Sequence, residues 1–138
     1  MIFYSSTQGK SKDSIISSKS SSGLIAVGSK KGTVSVWKLE TGDVVHRFGY
    51  DGDDGHGSQV NALVFGRTGT TLYSAGQDGV VLEWDMTTGK IVRSLPLFKT
   101  SISKLAISTS GNLLLVASSS IKLVDLSTGN VVAEYTGI

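Results

Sequence analysis

The chain has 138 residues, of which 39% are hydrophobic and 17% are charged, and its formal net charge is +2. These values are those of one globular domain and exclude a disordered chain, whereas the net charge is too small to indicate an acidic or basic partner. The chain has no cysteine, which excludes a disulfide framework, a thiolate zinc site and a cysteine nucleophile. Because no apolar run approaches the roughly 18 residues of a membrane-spanning helix, we expect a soluble, intracellular protein without a membrane segment.

The N-terminal part of the chain is basic and rich in serine. Residues 5–22, SSTQGKSKDSIISSKSSS, predict a flexible or phosphorylatable loop. Two alternatives remain for the strand before GLIAVGS: the segment MIFYSS, or a strand at Ile15-Ile16. Residues 1–38 carry six lysines and one aspartate, a charge of +5. Such a tract is able to contact nucleic acid, but without interleaved aromatic residues it is more typical of a solvated loop.

The rest of the chain contains an internal repeat. Segments 23–48, 71–95 and 113–135 align with one another, and their Thr-Gly dipeptides lie 47 and 40 residues apart. In the middle unit, β-branched residues cluster in runs at about 60–65, 72–75, 80–84 and 91–95, and turn residues close each run. No segment predicts a helix. Four short strands repeating at this period are typical of one β-propeller blade.

The sequence therefore predicts an all-β fold, a single partial propeller over residues 1–138 with about three four-stranded antiparallel blades. Their approximate boundaries are 1–50, which includes the loop 5–22, then 56–97 and 101–138. Three blades leave two open edges. The chain is then a fragment of a longer propeller, a truncated product, or one half of a six-bladed ring closed by two copies, and we favour a fragment.

The most polar run is DGDDGHG at residues 51–57, which connects the first two predicted blades. A calcium loop of the EF-hand kind is excluded, because its fifth and twelfth positions would be Gly55 and Ala62. A looser metal site stays open, although acidic glycine-rich segments are more often solvated loops. A phosphate cradle is disfavoured, since carboxylates repel phosphate.

The middle unit, His56 to Asp85, resembles a WD40 repeat. It has Gly-His at 55–56, LYSAGQDG at 72–79 and Trp-Asp at 84–85. The resemblance implies a hydrogen-bonded chain inside the blade, formed by His56, Ser74, Asp78 and Trp84.

The outer units depart from this pattern. The first unit has Lys31 where the middle unit has Asp78, and the third has Val124 in place of Trp84. Neither is able to form the full polar chain. We expect both to be held by apolar packing alone, with inter-blade residues Val34, Val36, Ile121 and Leu123.

Glu83 departs from its sister positions, which are Val36 and Leu123. A buried carboxylate is costly without a partner. We expect a hydrogen-bond partner in the channel-facing part of the blade, or access to solvent near the strand end, and a structural role rather than a functional site.

The segment LYSAGQDGVVLEWDMTTGKIV and the residues after it, through YTG at 135–137, are similar to the WD-repeat subunits of the small-subunit processome associated with U3 snoRNA. The resemblance implies a non-catalytic scaffold without cofactors, acting in pre-rRNA transcription and processing in the nucleolus. Its partners would be other protein subunits and the pre-rRNA or U3 ribonucleoprotein, with possible contacts at Lys10, Lys12, Lys19, Lys30 and Lys31. The alternative is a generic WD40 interaction module or a structural edge subunit of another complex, and self-association through the open blade edges stays open.

The sequence offers little for catalysis. His46 and His56 are the two histidines. Ser74, His56 and Asp78 superficially match a Ser-His-Asp triad, but the repeat assigns them to hydrogen bonds inside one blade. We therefore predict no catalytic, cofactor-binding or metal-binding residue.

Overall fold

The computed structural model describes residues 15–21, 23–49 and 55–137. These residues form twelve β-strands. In chain order they are β1 (Ile15–Ser21), β2 (Leu24–Ser29), β3 (Val34–Lys38), β4 (Val44–Phe48), β5 (Val60–Phe65), β6 (Thr71–Gly76), β7 (Val80–Asp85), β8 (Lys90–Pro96), β9 (Lys104–Ile107), β10 (Leu113–Ala117), β11 (Ile121–Asp125) and β12 (Asn130–Tyr135).

Each successive group of four strands forms one antiparallel sheet, with neighbours in chain order. We call these the first, second and third sheets. The first strands of neighbouring sheets contact each other, β1 with β5 and β5 with β9. The predicted all-β architecture of propeller blades is confirmed, and the strands of the middle unit begin and end within one residue of their predicted bounds.

The first strand lies where the second of the two alternatives placed it. Residues 15–21 pair antiparallel with β2, so the prediction of a flexible loop over 5–22 is wrong for this part. The backbone N–H and C=O groups of β2 can form hydrogen bonds with any extended segment, whatever its side chains. A serine-rich composition therefore does not reveal that residues 15–21 pair with β2. MIFYSS, the rest of the loop and the acidic residues 51–54 lie outside the described residues, and the blade boundaries stay predictions.

The hydrophobic core lies between the sheets. Val34 and Val36 of the first sheet are fully buried, as predicted, and they share a cluster with Leu72 and Trp84 of the second sheet. A second cluster joins the second and third sheets; its fully buried members are Ala75, Val81, Ile102, Leu114, Val116 and Val124. Alternation of side chains gives each sheet two faces, so the second sheet contributes to both clusters.

The predicted place of Ile121 and Leu123 between two blades is not tested, because the described residues include no sheet beyond the third. Both are only half-buried, whereas Val124 of the same strand is fully buried. Ile121 and Leu123 lie on the face of the third sheet opposite the one that packs on the second sheet. Within the described residues, no further sheet covers that face.

The turns between the third and fourth strands carry the Thr-Gly dipeptides. Gly42, Gly89 and Gly129 have φ angles of 76°, 75° and 79°, which glycine adopts without strain. In the last two turns an aspartate accepts hydrogen bonds. Asp85 Oδ1 binds the amide of Thr87 at 2.7 Å, and Asp125 Oδ1 binds the hydroxyl and amide of Ser127 at 2.6 and 2.9 Å.

These hydrogen bonds hold the pKa of both carboxyls below the ordinary value of 3.8. The main cause is the Thr87 amide for Asp85 and the Ser127 hydroxyl for Asp125. A carboxyl group whose pKa is lower in the folded chain than in the unfolded chain stabilises the fold at pH values above its unfolded pKa. That stabilisation is lost as the pH falls through its folded pKa.

We expect the double change Asp85→Asn and Asp125→Asn to flatten the acid dependence of stability, because asparagine keeps an acceptor oxygen and does not titrate in this range. The free energy of unfolding, measured in urea from about pH 5 to pH 2, should fall less steeply than in the wild type. Identical slopes would show that these turns do not contribute to acid sensitivity.

Candidate functional site

The structure brings together the four residues of the predicted polar chain. His56 Nδ1 lies 2.8 Å from Asp78 Oδ2, and His56 Nε2 lies 2.7 Å from Ser74 Oγ. Trp84 Nε1 donates to the same Ser74 oxygen at 2.8 Å. The chain thus links the segment before β5 with β6, β7 and the turn between them.

With a neutral imidazole at His56, all donors and acceptors of this chain are matched. The Ser74 hydroxyl then accepts from the Trp84 indole and donates to His56 Nε2, while His56 Nδ1 donates to Asp78. The remaining oxygen of Asp78 accepts from the amide of Val80 at 3.2 Å. Ser74 is fully buried, so its hydroxyl is shielded from an external substrate even though the residue types match a triad.

The first unit is not held by apolar packing alone, which corrects the expectation from the sequence. Trp37 Nε1 donates to Ser35 Oγ at 2.9 Å. Ser29 Oγ and Thr33 Oγ1 lie 2.5 Å apart, and Ser29 Oγ also accepts the amide of Thr33. In the first unit, polar side chains two to four residues apart therefore pair with each other. These local pairs take the place of the hydrogen-bonded chain that the unit is unable to form, since it has Lys31 where the middle unit has Asp78.

The same correction applies to the third unit. Lys122 Nζ donates to the carbonyl of Leu97 at 2.5 Å and lies 4.5 Å from the centre of the Phe98 ring. Thr100 Oγ1 and Ser118 Oγ lie 2.6 Å apart. These contacts hold the connection between β8 and β9, as His56 holds the connection before β5.

Glu83 has the structural hydrogen-bond partner that the sequence led us to expect, and it lies within β7 rather than at a strand end. It is 8% exposed, and its Oε1 accepts from Arg93 Nε at 2.9 Å and Nη2 at 2.7 Å. Tyr73 lies opposite Glu83 on β6. Burial and then the Glu83 charge raise the pKa of Tyr73 above its ordinary value.

The lysines singled out in the sequence do not all fall within the described residues. Lys30 and Lys31 lie in the turn between β2 and β3 and are exposed. Lys19 lies on β1, opposite Ala26. Lys10 and Lys12 lie outside the described residues.

Sequence reasoning missed a polar group at the start of β5. Gln59 Nε2 donates to Asn61 Oδ1 at 2.8 Å, and Asn61 Nδ2 donates to Ser101 Oγ at 3.0 Å and to the Ile102 carbonyl at 2.9 Å. These bonds tie β5 to the connection before β9. Because Asn61 and Ser101 are 40 residues apart, no local pattern could have revealed them.

Within residues 15–21, 23–49 and 55–137, no three His, Asp or Glu side chains are grouped so that they could hold a metal ion. The acidic residues 51–54 fall outside that range, and the looser metal site considered there stays untested. Among the described residues, no helix has the length and hydropathy needed to cross a membrane.

We expect Ser74→Ala to lower the free energy of unfolding by about 2 kcal/mol or more, because it removes a buried partner of both Trp84 and His56. Urea denaturation would measure the loss. Ser94→Ala on β8 is the control: Ser94 is exposed, and its change should stay within about 0.5 kcal/mol. Equal effects of the two variants would contradict a stabilising role for the buried chain.

Comparisons with known proteins agree with this architecture. A family model described as the anaphase-promoting complex subunit 4 WD40 domain matches residues 16–108. Human WD repeat-containing protein 43 is 30% identical over 93% of this chain. The U3 small nucleolar RNA-associated protein 21 homolog of Schizosaccharomyces pombe is 30% identical over 80% of it. The chain spans only 18% and 12% of the lengths of these two relatives.

The crystal structure of RRP9 WD40 repeats aligns with 91% of this chain and 39% of its own, with a TM-score of 0.84. Its sequence identity of 20% means that this likeness shows the fold alone. The matched family model, in contrast, extends over well more than half of the sequence. The chain therefore belongs to the WD40-repeat family of β-propeller proteins.

Proposed function

We propose that this protein-interaction module acts as a non-catalytic scaffold in ribosome biogenesis, within the small-subunit processome of the nucleolus. The observation that carries the proposal is the similarity to the U3 small nucleolar RNA-associated protein 21 homolog over 80% of the chain. The geometry agrees with a scaffold: the polar chain of the middle blade is buried, which leaves exposed turns and strand edges for partners. Other protein subunits and pre-rRNA or U3 ribonucleoprotein are the proposed partners.

A generic interaction module is the second candidate. Relatives with other roles in their names support it: the pre-mRNA-processing factor 19 homolog 2 of Arabidopsis thaliana is 33% identical over 81% of this chain. Identity of this order to proteins of different complexes favours a shared fold with partner choice determined by surface residues. The two candidates differ in whether U3 RNA accompanies the chain.

The test is purification of the tagged chain from a nuclear extract, followed by hybridisation for U3 small nucleolar RNA. We expect U3 RNA to be enriched at least about tenfold over an unrelated abundant RNA, and its absence would favour the generic module. A contact through phosphates would weaken as salt rises from about 50 to 200 mM.

A matched pair of charge variants locates any RNA contact. Lys30→Glu with Lys31→Glu changes the exposed turn between β2 and β3, whereas Lys38→Glu with Lys90→Glu changes exposed lysines at the opposite end of the strands. If the first turn meets RNA, only the first variant should lose U3 RNA. Equal recovery with both variants would indicate that RNA is held through protein partners.

We also propose that a second copy of the chain packs on the uncovered face of the third sheet. Leu115 and Leu123 of this face are half-buried and Tyr135 is 56% exposed. In the first and second sheets, the equivalent faces are covered by the next sheet. A second copy would supply such a sheet.

Light scattering after size exclusion, over a range of concentrations, tests this self-association. We expect the mass to rise toward twice that of one chain, and Tyr135→Lys to shift the rise to higher concentration. Val92→Lys is the control, because Val92 is also 56% exposed but lies on β8 of the second sheet. A mass that stays at one chain at every concentration would refute the proposal.

A further inference from the structure

One strand position of the repeat joins consecutive sheets. The fourth strands place His46, Arg93 and Ala133 at equivalent positions, opposite Val36, Glu83 and Leu123 of the third strands. In each sheet a bulge follows directly at the next residue of the third strand. The equivalence therefore holds in register as well as in sequence.

His46 and Arg93 each donate a hydrogen bond to an equivalent backbone carbonyl of the following sheet. His46 Nε2 donates to the carbonyl of Met86 at 2.6 Å, and Arg93 Nη2 donates to the carbonyl of Leu126 at 2.9 Å. Met86 and Leu126 both directly follow the aspartate that ends the third strand of their sheet. The acceptor is thus an equivalent carbonyl in two different sheets.

His46 and Arg93 lie against the Thr-Gly turns of the second and third sheets. A Cβ atom on Gly89 would lie 3.1 Å from His46 Nδ1, and one on Gly129 would lie 3.0 Å from Arg93 Nη1. At Gly42, in the first sheet, such a Cβ would meet nothing within 4 Å. The glycine at 89 and 129 therefore gives a positive φ and also leaves room for a side chain of the preceding sheet.

We propose that this position is an inter-sheet latch, in which a donor from the fourth strand of one sheet ties the last turn of the next. Glu83 and Phe48 aim the two donors. Glu83 holds the Arg93 guanidinium through two hydrogen bonds to one oxygen. The His46 ring stacks on Phe48, with 5.5 Å between centroids. The latch explains why the middle unit carries a carboxylate where its sisters carry Val36 and Leu123.

The third unit has Ala133 at the latch position and Leu123 opposite it, so this unit lacks the donor and the group that would aim it. A sheet packed beyond the third one would therefore be joined by apolar contact without this hydrogen bond.

Amide hydrogen exchange by NMR on the full chain tests the latch. The variant Glu83→Leu with Arg93→Ala installs the residue pair of the third unit and leaves no unpaired carboxylate. We expect exchange at the Gly129 amide, which bonds to the Asp125 carbonyl, to become about tenfold faster or more, while the Gly89 amide is unchanged. His46→Leu should give the converse pattern: exchange at the Gly89 amide becomes faster, and the exchange rate at the Gly129 amide is unchanged.

This crossed pattern separates a latch from a general loss of stability. Equal acceleration at both turns in both variants would overturn the proposal, and so would no change at either turn. If the double variant does not fold, Arg93→Gln keeps a polar side chain that is too short to reach the next sheet and is expected to give the same local effect.

The glycines provide an independent test of the same contact. Gly42→Ala and Gly89→Ala place alanine at nearly the same φ, 76° and 75°, so their backbone strain is matched. Only Gly89→Ala also crowds the His46 ring, and we expect it to lower the urea midpoint more. In the His46→Ala background the two losses should become equal, because alanine removes the ring atoms that the new Cβ would crowd. Equal losses in the wild-type background would contradict the latch.

Discussion

Packing of one sheet against the next is the constraint on which the rest of this structure depends. A twisted four-stranded sheet of this composition has two apolar faces, so it needs a neighbour on each. Fully buried residues such as Val36, Leu72 and Val116 lie in the layers between sheets, and each contributes about 1.5–3 kcal/mol when it is removed from water. A chain whose stability depends on such layers is stable only as a series of consecutive units.

Polar contacts act on this apolar framework at defined points. Inside the second sheet, the chain from Trp84 through Ser74 and His56 to Asp78 ties the incoming segment to the blade. Lys122 ties the connection before the third sheet to its own blade by a different chemistry. Between sheets, His46 and Arg93 reach the turn of the next sheet. The connections before the second and third sheets, and the last turns of these two sheets, are thus held by side chains of different chemistry.

The burial of the polar side chains inside the middle blade determines which surfaces are left for binding. Because the polar chain of the middle blade is satisfied within the fold and its serine is buried, the surface left for partners lies in the turns, the strand edges and the uncovered face of the third sheet. Such surfaces tolerate substitution without loss of the core. Relatives at about 30% identity with different names are consistent with that freedom.

The sequence by itself determined the strands of the middle unit and the Thr-Gly turns, because these follow from alternation and from glycine at positive φ. The members of the buried polar chain, His56, Ser74, Asp78 and Trp84, followed from the resemblance of that unit to a WD40 repeat. The pairing of residues 15–21 with β2 escaped a prediction that depended on composition. The partners of Arg93 and Asn61, 33 and 41 residues away, were decided by the tertiary structure alone. Their contacts depend on the distance and rotation between successive sheets, and no pattern within one strand specifies what the neighbouring sheet places opposite it.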